Sequence, residues 1–515
     1  MLVIENMSHS FGDKIIYENV NIRINKGDKV GLVGFNGSGK STLINILNGN
    51  ILADKGTIKW NSKHKVGYLD QYADIDRELT VYKYLESAFA DLVAIEERYN
   101  KVNDSMATAS EDEIMELCEL SGRLYDILEE HNYYSIPSTI NKVAAGLGVT
   151  AIGLDRMIGE LSGGQRAKVM LVKLLLEQPS LIILDEPTNF LDVEHIEWLK
   201  KYLTEYKGTF LIVSHDVEFL NSVINVVWSV EHSTIVRYNG NYDAYMKQRE
   251  MKEMQHEKLR ESQLKEVAEL KDYIARNKAR ASTANMAKSR EKRLEKIIVV
   301  DKVFQPTKPE FNFKYKTFAS QQVLAVKGLT IGYDMPLVRD INFLLLNGQK
   351  LRIKGFNGVG KTTLLKTICG IIDPIAGKID LANNLVVGYY EQDLNWENDE
   401  ITAVNEMRNC FPKLSEKEIR TYLAKAGLDS KHWRQPIRSL SGGEQSKIKL
   451  CKLMVNSYSV LILDEPTNHL DVLAKESLVE AIKNFKGAVI YVSHENEFAT
   501  KVGGLEYDIE KLRLH

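Results

Sequence analysis

Residues 31–41 read GLVGFNGSGKS, and this stretch decides the fold of the first half of the chain. It contains a Gly-x-x-x-x-Gly-Lys-Ser loop between a strand-like segment and a helical pattern. The glycines of such a loop let backbone N–H groups approach phosphates, and the helix that follows points its N-terminus at them. A glycine-rich turn without a ligand is the alternative. The residues predicted to bind the nucleotide here are Gly34, Asn36, Gly37, Ser38, Gly39, Lys40, Ser41 and Thr42.

Two carboxylates follow an apolar segment farther along the chain. The run from Leu181 ends in Asp185 and Glu186, as expected of a buried parallel strand that delivers polar groups to its carboxyl edge. In this pattern Lys40 contacts the β- and γ-phosphates, while Ser41 and Asp185 hold Mg²⁺. Glu186 can then polarise the attacking water. Together the two motifs predict an α/β P-loop domain that hydrolyses a nucleotide.

A third motif lies between the first two. Residues 161–165 read LSGGQ, and Ser162 occupies the N-cap position of a helical pattern that continues to Leu176. This motif resembles the signature of ABC ATPases, which implies that Ser162, Gly163, Gly164 and Gln165 contact ATP. The same resemblance matches Gln71 to the Q-loop glutamine, residues 189–192 to the D-loop and His215 to the switch histidine. A lone histidine after an apolar strand is usually structural, but this one completes an ordered set of five motifs.

The whole set recurs in the second half of the chain. One offset in numbering relates the two phosphate loops and the two Q-loop glutamines, and a second, smaller offset relates the signatures, the carboxylates and the histidines. So constant a register indicates a duplication, with an insertion between the Q-loop and the signature of the first copy, where the offset changes. The predicted residues of the second set are Gly355, Asn357, Gly358, Val359, Gly360, Lys361, Thr362, Thr363, Gln392, Ser441, Gly442, Gly443, Glu444, Asp464, Glu465 and His494.

Because ABC ATPases close head to tail, the resemblance implies two composite ATP sites within one chain. Each ATP lies between the phosphate loop of one unit and the signature of the other. The implied catalytic residues are Glu186, His215, Glu465 and His494. The implied Mg²⁺ ligands are Ser41, Gln71, Asp185, Thr362, Gln392 and Asp464. We expect both sites to hydrolyse ATP, at rates made unequal by Glu444, where the second signature departs from the first.

Two aromatic residues stand where ABC ATPases stack a ring on adenine. They are Phe11 and Tyr333, each near the start of its unit. An aromatic residue in the core fits both positions equally well, so the sequence leaves the choice open.

The insertion of the first copy falls near residues 86–131. Apolar residues recur there at helical spacing on both sides of a break at residues 106–110, which predicts a projecting helical hairpin. Thirteen acidic and three basic residues give this arm a net charge of −10. The charge disfavours contact with RNA, and it fits a basic protein surface and simple solvation equally well.

A second helical segment separates the two copies. Its shaft, residues 247–272, has seven basic and seven acidic residues, whereas its tip, residues 274–290, has five basic residues and no acidic one. A helix of about 34 residues would extend roughly 50 Å, and a turn near residues 281–285 predicts an antiparallel return. Charge alone leaves open a phosphate-directed probe and a solvated hairpin. The basic residues of the tip are Arg276, Lys278, Arg280, Lys288 and Arg290.

Length and composition set the remaining limits. A chain of 515 residues should hold two or three domains. No apolar run approaches the roughly 18 residues of a membrane helix, and the N-terminus lacks the pattern of a secretory signal. We expect a first ATPase domain at residues 1–240, a linker at 241–300, a connector at 301–321 and a second ATPase domain at 322–515.

The four cysteines show no metal-binding or redox spacing. We therefore expect them to be core thiols of a protein in the reducing cytosol. They are Cys118, Cys369, Cys410 and Cys451.

Tandem ABC ATPase units with an inserted arm and a basic linker most resemble the ABC-F family, and the resemblance covers nearly the whole chain. It implies a cytoplasmic, monomeric ATPase that closes on ATP and binds the ribosome near the tRNA exit site. The linker would approach rRNA and P-site tRNA, and the acidic arm would face a basic ribosomal protein. The short tip favours a general translation factor over a factor that protects ribosomes from antibiotics. The ATPase component of a transporter is the second alternative.

Overall fold

The computed structural model describes residues 1–12, 14–35, 37–61, 65–69, 75–107, 110–277, 284–297, 308–318, 320–333, 335–356 and 358–510. Within these ranges each half of the chain contains a parallel sheet packed between helices, with a small antiparallel sheet beside it. The α/β class and the tandem arrangement predicted from the motifs are confirmed.

The first half has two sheets. The strands are β1 (Leu2–Phe11), β2 (Lys14–Ile24), β3 (Lys29–Val33), β4 (Lys55–Trp60), β5 (Val66–Tyr68), β6 (Leu181–Asp185), β7 (Thr209–Val213), β8 (Val226–Glu231) and β9 (Thr234–Asn239). The main sheet has the order β5-β6-β7-β3-β8-β9 and is parallel except for β9. Its central strands are almost entirely apolar and buried on both faces, as helices on either side of a parallel sheet require.

Helices cover both faces of this sheet. The helices before residue 224 are α1 (Lys40–Leu47), α2 (Val81–Glu86), α3 (Ala90–Met106), α4 (Glu111–Glu130), α5 (Ile136–Gly146), α6 (Gly163–Leu176), α7 (Val193–Glu205) and α8 (Val217–Val223), of which α3 and α4 form the arm and not the cover of the sheet. One core cluster joins α5 to α8 with the sheet, and another joins α1 and the antiparallel strands with the opposite face. This packing brings the carboxyl ends of β3, β6 and β7 to one edge.

The predicted arm is confirmed as a pair of helices, α3 and α4. A capping box closes the start of α4, where the Ser110 amide donates to Glu113 at 2.9 Å. Leu124 and Leu128 are buried, and Ser121 bonds Asn103 across the hairpin at 2.7 Å. Most of the acidic residues therefore remain on the outside of a well-packed hairpin.

The linker consists of two further helices, α9 (Tyr242–Asn277) and α10 (Ala284–Lys296). The 36 residues of α9 correspond to a length of roughly 54 Å. The two helices contact each other, and Arg293 of α10 pairs with Glu266 of α9. The expected return of the chain along the shaft is confirmed, and most of its predicted turn lies outside the described residues.

The second half repeats the first without the arm. Its strands are β10 (Lys314–Tyr315), β11 (Gln322–Gly332), β12 (Pro336–Leu346), β13 (Lys350–Lys354), β14 (Ala376–Leu381), β15 (Val387–Tyr390), β16 (Ser457–Tyr458), β17 (Val460–Asp464), β18 (Ala488–Val492) and β19 (Leu505–Asp508). Its helices are α11 (Lys361–Ile368), α12 (Ala403–Cys410), α13 (Glu416–Lys425), α14 (Gly442–Val455), α15 (Val472–Asn484) and α16 (Asn496–Val502). The main sheet has the order β15-β17-β18-β13-β19, all parallel.

The cysteines correct one expectation. Cys451 is buried, but Cys118 on the arm and Cys410 at the end of α12 are exposed, so the prediction of four core thiols was wrong. Both exposed residues lie on helices outside the main sheets, where one face is solvated. Among the helices in the described ranges, none has the length and apolar character needed to cross a lipid bilayer.

Candidate ATP-binding and catalytic sites

The first phosphate loop joins β3 to α1, and its last residue, Gly39, has φ of +106°. A Cβ at Gly39 would come within 2.5 Å of the Ile16 side chain, so glycine is required at this turn. The buried ammonium of Lys40 donates to the carbonyl oxygens of Gly34 at 2.8 Å and Phe35 at 3.2 Å. Lys40 is therefore held at the loop, where a nucleotide phosphate would need its charge.

The second phosphate loop has the same geometry. Lys361 begins α11 and donates to the carbonyl oxygens of Gly355 at 2.7 Å and Phe356 at 3.0 Å. Its Nζ also lies 3.2 Å from Nε2 of His494. Both lysines are therefore positioned by their own loops. The other described residues predicted for the two loops occupy the same turns and the first turns of α1 and α11; they are Gly37, Ser38, Ser41, Thr42, Gly358, Val359, Gly360, Thr362 and Thr363.

The two predicted catalytic glutamates follow strands β6 and β17 directly. Both have left-handed backbones, with φ of +48° at Glu186 and +46° at Glu465, a conformation that concentrates at functional sites. The His215 amide donates to Oε2 of Glu186 at 3.2 Å, and the His494 amide donates to Oε2 of Glu465 at 3.3 Å. The imidazole Nε2 atoms lie 3.7 Å and 3.0 Å from the respective Oε1 atoms. Each histidine therefore contacts its glutamate through both backbone and side chain.

Burial controls the protonation of these groups. It raises the pKa of Glu186 and the pKa of Glu465 to about 8. Burial also lowers the pKa of His494 to about 3, and it holds the pKa of His215 well below its usual range. A neutral imidazole beside a carboxyl group of raised pKa suits a general base that works near neutral pH.

Each signature motif starts a helix through a reciprocal cap. Ser162 Oγ accepts a hydrogen bond from the Gln165 amide at 3.3 Å, and the Gln165 side chain accepts one from the Ser162 amide at 3.0 Å. Ser441 and Glu444 form the same pair, at 3.4 Å and 2.8 Å. The predicted N-cap at Ser162 is confirmed. The glutamate of the second signature preserves the cap because its carboxylate accepts the same bond.

Glu444 also faces the other half of the chain. A Cβ at Gly37 would come within 3.1 Å of Oε1 of Glu444. His432 lies 3.0 Å from that oxygen. Burial acts to raise the pKa of Glu444, but the hydrogen bonds from His432 and Ser441 outweigh it and the pKa is lowered. The second signature therefore brings a carboxylate to the first phosphate loop.

The D-loops complete the same head-to-tail arrangement. Asp471 of the second unit matches Asp192 by the same offset that relates the two signatures. The charge of Asp471 acts on Lys40, and the charge of Asp192 acts on Lys361. A cavity of about 1120 Å³ beside the first phosphate loop is lined by residues of both halves, including His215 and Asp471. Each phosphate loop thus faces the D-loop of the other unit, and the cavity beside the first one has room for a nucleotide.

Sequence reasoning missed two buried lysines behind the D-loops. Lys168 on α6 bonds Asp192 at 2.9 Å, and Lys447 on α14 bonds Asp471 at 2.8 Å. Both pairs are almost fully buried. Each joins the helix that follows the signature to the D-loop of the same unit. A basic residue six positions after the signature serine in both copies was the available signal.

The residues present fit a divalent cation bound with the nucleotide. Both carboxylate oxygens of Asp464 are buried without a hydrogen bond of normal geometry, and the Thr362 hydroxyl lies beside them. Burial raises the pKa of Asp464 to about 6, against the effect of that hydroxyl. Oxygen ligands of this kind suit Mg²⁺. Thr362 and Asp464 would hold the ion in the second site, and Ser41 and Asp185 are their counterparts in the first.

The predicted adenine-stacking residues are not part of the core. Phe11 is 52% exposed and Tyr333 is 65% exposed. The alternative of core aromatics is therefore wrong, and stacking on adenine stays a prediction for both. Gln392 lies two positions beyond β15 and is exposed. Three other residues predicted for the sites lie outside the described residues, and they are Asn36, Gln71 and Asn357.

The structure gives two cations of the linker tip specific neighbours. Arg276 pairs with Asp272 at 3.0 Å, and the guanidinium of Arg290 lies 3.5 Å from the centroid of the Tyr273 ring. Lys288 is exposed. The other two predicted contacts, Lys278 and Arg280, lie outside the described residues. Exposed pairs of this kind contribute little to stability, so they leave the charges available to a partner.

The base of the linker touches the first phosphate loop, which sequence reasoning also missed. The guanidinium of Arg249 on α9 lies 5.6 Å from the centroid of the Phe35 ring. Arg249 also donates to the Tyr245 hydroxyl at 3.3 Å and to Glu253 at 2.7 Å. The Tyr245 hydroxyl is buried against Ser229 at 3.1 Å. Helix α9 is therefore fixed beside the loop that precedes Lys40.

Comparisons with known proteins agree with this geometry. A family model described as ABC transporter matches residues 17–189 and 338–468, and a second model with the same description matches residues 228–313. The uncharacterized ABC transporter ATP-binding protein YfmM of Bacillus subtilis (strain 168) is 45% identical, over 97% of this chain and 96% of its own length. ABC transporter F family member 2 of Arabidopsis thaliana is 33% identical, over 97% of this chain and 75% of its own length.

The fold also matches a solved structure. A complex of the archaeal ribosomal stalk protein aP1 with the archaeal ribosome recycling factor aABCE1 aligns with a TM-score of 0.60, at 19% identity over 97% of this chain and 86% of that one. The protein is therefore a tandem ABC ATPase. Within that class, the chain belongs to the ABC-F family, as the motifs and the linker led us to expect.

Proposed function

We propose that this ATPase binds the ribosome in its ATP-closed form, near the tRNA exit site, and modulates translation through its linker. The observation that carries the proposal is the course of α9. The helix contacts the first phosphate loop through Arg249, near its start, and its 36 residues lead to a tip whose charged residues are all basic. A helix anchored beside ATP at one end can present phosphate-binding groups at the other.

ATP would act in this proposal as a clamp between the two units. Each site combines a phosphate loop with the signature and D-loop of the other half, so bound nucleotide favours the closed arrangement. Glu186 and Glu465 would activate the attacking water, and Mg²⁺ would neutralise charge on the phosphates. Hydrolysis then removes the contacts that hold the units together. In this scheme the closed state sets the direction of the linker, and ATP cleavage releases it.

The acidic arm would contact a basic ribosomal protein. Its net charge of −10 repels RNA phosphates. The buried contacts between α3 and α4 make it a stable projection, so its charges are presented on a fixed surface. Removing residues 90–130 should weaken or misplace ribosome binding and leave ATP binding intact. Crosslinks from the turn of the arm mainly to RNA would refute this contact.

The experiment that tests the main proposal is co-sedimentation with ribosomes at several salt concentrations. It uses the Glu186→Gln, Glu465→Gln protein with ATP, so that the closed form persists. Replacing the five tip cations (Arg276, Lys278, Arg280, Lys288 and Arg290) with Gln should weaken binding. Each lost phosphate contact should also lower the slope of log affinity against log salt by roughly 0.7–0.9.

A control variant separates local contact from total charge. It replaces five exposed lysines on the two ATPase units with Gln: Lys142, Lys201, Lys207, Lys483 and Lys486. This protein has the same net charge as the tip variant and should bind ribosomes as the parent does. If the tip variant and the parent bind ribosomes with equal affinity and equal salt slope, the tip makes no phosphate contacts and is only a solvated hairpin. Complete absence of ribosome binding by the parent would favour a transporter-associated ATPase.

A role in protecting ribosomes from antibiotics is the closest alternative. The same tip would then displace a drug from the ribosome. Growth of cells that express the parent or the tip variant, in the presence of drugs that bind the ribosome, distinguishes the two roles. If the protein is a general translation factor, its expression should leave the minimum inhibitory concentration of each drug unchanged.

A further inference from the structure

One lysine of the second unit reaches into the first ATP site. Lys475 lies on the first turn of α15, and its side chain is 13% exposed. Its Nζ donates to the carbonyl oxygen of His215, 260 positions away, at 3.2 Å, and it pairs with Glu495 at 2.7 Å. The ion pair compensates the buried charge, so the ammonium can remain at the contact between the two units.

His215 connects this contact to the catalytic carboxylate. Its carbonyl oxygen accepts from Lys475, and its amide donates to Oε2 of Glu186 at 3.2 Å. Fixing the carbonyl restricts the backbone on which that amide lies. The lysine therefore holds in place the backbone whose amide positions the carboxylate.

The second ATP site has a different residue at the matching position. The offset that relates Asp464 to Asp185 also relates Lys475 to Ile196 on α7. Ile196 is buried, and it lines a cavity between the units that Lys475, His215 and His494 also line. An isoleucine side chain can donate no hydrogen bond to the backbone of His494. The hydrogen bond from the His494 amide to Glu465, at 3.3 Å, therefore forms without a lysine at the matching position of the opposite unit.

We propose that Lys475 is a positioning residue for the first ATP site, supplied by the second unit. It makes hydrolysis at Glu186 depend on contact between the units, and it has no equivalent effect at Glu465. This inference rests on the roles proposed above for the two glutamates. When the units separate, Lys475 leaves the His215 carbonyl and the first site loses its alignment.

The test measures single-turnover ATP cleavage in proteins with one working site. Glu465→Gln leaves the first site active, and Glu186→Gln leaves the second. In the first background, Lys475→Met should lower the cleavage rate roughly 10- to 100-fold, as expected for a displaced catalytic group, while half-saturation by ATP changes less than about twofold. In the second background the rate should stay within about twofold of its parent. Lys475→Arg keeps a charged donor and should restore most of the first-site activity.

Lys200→Met is the matched control. Lys200 is 12% exposed and lines the same cavity, but both of its partners, Glu197 and Glu218, belong to its own unit. Lys200→Met should leave the cleavage rate unchanged in both backgrounds. Thermal unfolding and binding of a fluorescent ATP analogue verify that each variant is folded, and Lys475→Gln provides a second uncharged substitution.

Three results would overturn the inference: an unchanged first-site rate in Lys475→Met, equal losses in both backgrounds, or an equal loss in Lys200→Met. The glutamate assignment is tested separately, before any lysine is changed. If the protein with both Glu→Gln substitutions cleaves ATP at the parent rate, the proposed bases are wrong, whatever Lys475 does.

Discussion

The two proposed ATP sites have the same backbone geometry around their glutamates in different surroundings. The histidine amides reach the glutamates at 3.2 Å and 3.3 Å, and both glutamates have the same left-handed backbone. The first site, however, borders the linker helix and receives Glu444 and Lys475 from the second unit. In the second site the matching positions hold Gln165 and Ile196. Groups positioned by a strand end are preserved between the copies, whereas these two side chains from the opposite unit differ.

This difference indicates that a duplicated enzyme can give each copy a separate task. The backbone geometry beside the glutamates is the same in both sheets. The neighbours that reach each site from the opposite unit differ, because packing between the units sets them. We therefore expect equal chemistry and unequal regulation in the two sites.

The largest expected effect comes from removing both glutamates that we propose as general bases. Replacing Glu186 and Glu465 with Gln should lower steady-state ATP turnover by roughly 10²–10⁴-fold, because each substitution removes a general base. ATP binding should remain. Phosphate release measures the turnover, and a fluorescent ATP analogue measures the binding. If both single substitutions lower turnover equally, the two sites contribute equally to ATP cleavage and differ only in how they are regulated. Unchanged turnover in the double variant would contradict the assignment.

The next effect compares the two buried ion pairs. Lys447→Met leaves Asp471 buried without its cation and should lower the free energy of unfolding of the second unit by about 3–5 kcal/mol. Lys168→Met should lower the free energy of unfolding of the first unit by a smaller amount. There, His195 lies 3.1 Å from Asp192, whereas the matching position in the second unit is Ala474.

The measurement is chemical denaturation, followed by proteolysis of each unit because a two-unit protein need not unfold in one step. His195→Ala in the Lys168→Met protein should remove the difference between the units. A larger loss in Lys168→Met than in Lys447→Met would contradict the explanation.

A smaller effect concerns the helix caps of the signatures. Ser162→Ala and Ser441→Ala should each lower the free energy of unfolding by about 1 kcal/mol, since each removes the acceptor for one helix amide. The two losses should be equal because Gln165 and Glu444 complete the same capping box. Unfolding midpoints of each unit measure them. Substitution with Thr preserves the cap and should recover most of the loss. Unequal losses would show that Glu444 changes the cap as well as the ATP site.

The smallest expected effect is at the base of the linker. Arg249→Gln removes a cation over the Phe35 ring, a contact of about 0.5–1 kcal/mol, so ATP affinity of the first site should fall by about two- to fivefold. Titration with a fluorescent ATP analogue in the Glu186→Gln protein measures it. Lys247→Gln, an exposed change on the same helix, is the control. An equal fall in ATP affinity at the second site would contradict an effect of Arg249 confined to the first site.

Much of this protein could be predicted from local sequence. The phosphate loops, the strand ends at Asp185 and Asp464, and the cap at Ser162 depend on residues close together in the chain. The period of apolar residues predicted the helices of the arm and of the linker. The constant register of the two motif sets also revealed the duplication. These features were predictable because hydrogen bonds between near neighbours and alternation of burial leave a direct pattern in the sequence.

The tertiary structure decided the rest. It exposed Phe11 and Tyr333, brought Arg249 to the first phosphate loop, and placed Lys475 at the His215 carbonyl across 260 positions. No period or spacing encodes such contacts, because they depend on how separate sheets and helices pack against one another. The sequence alone therefore determined which candidate catalytic groups the chain possesses. Only packing between the units decided which groups of one half act on the other.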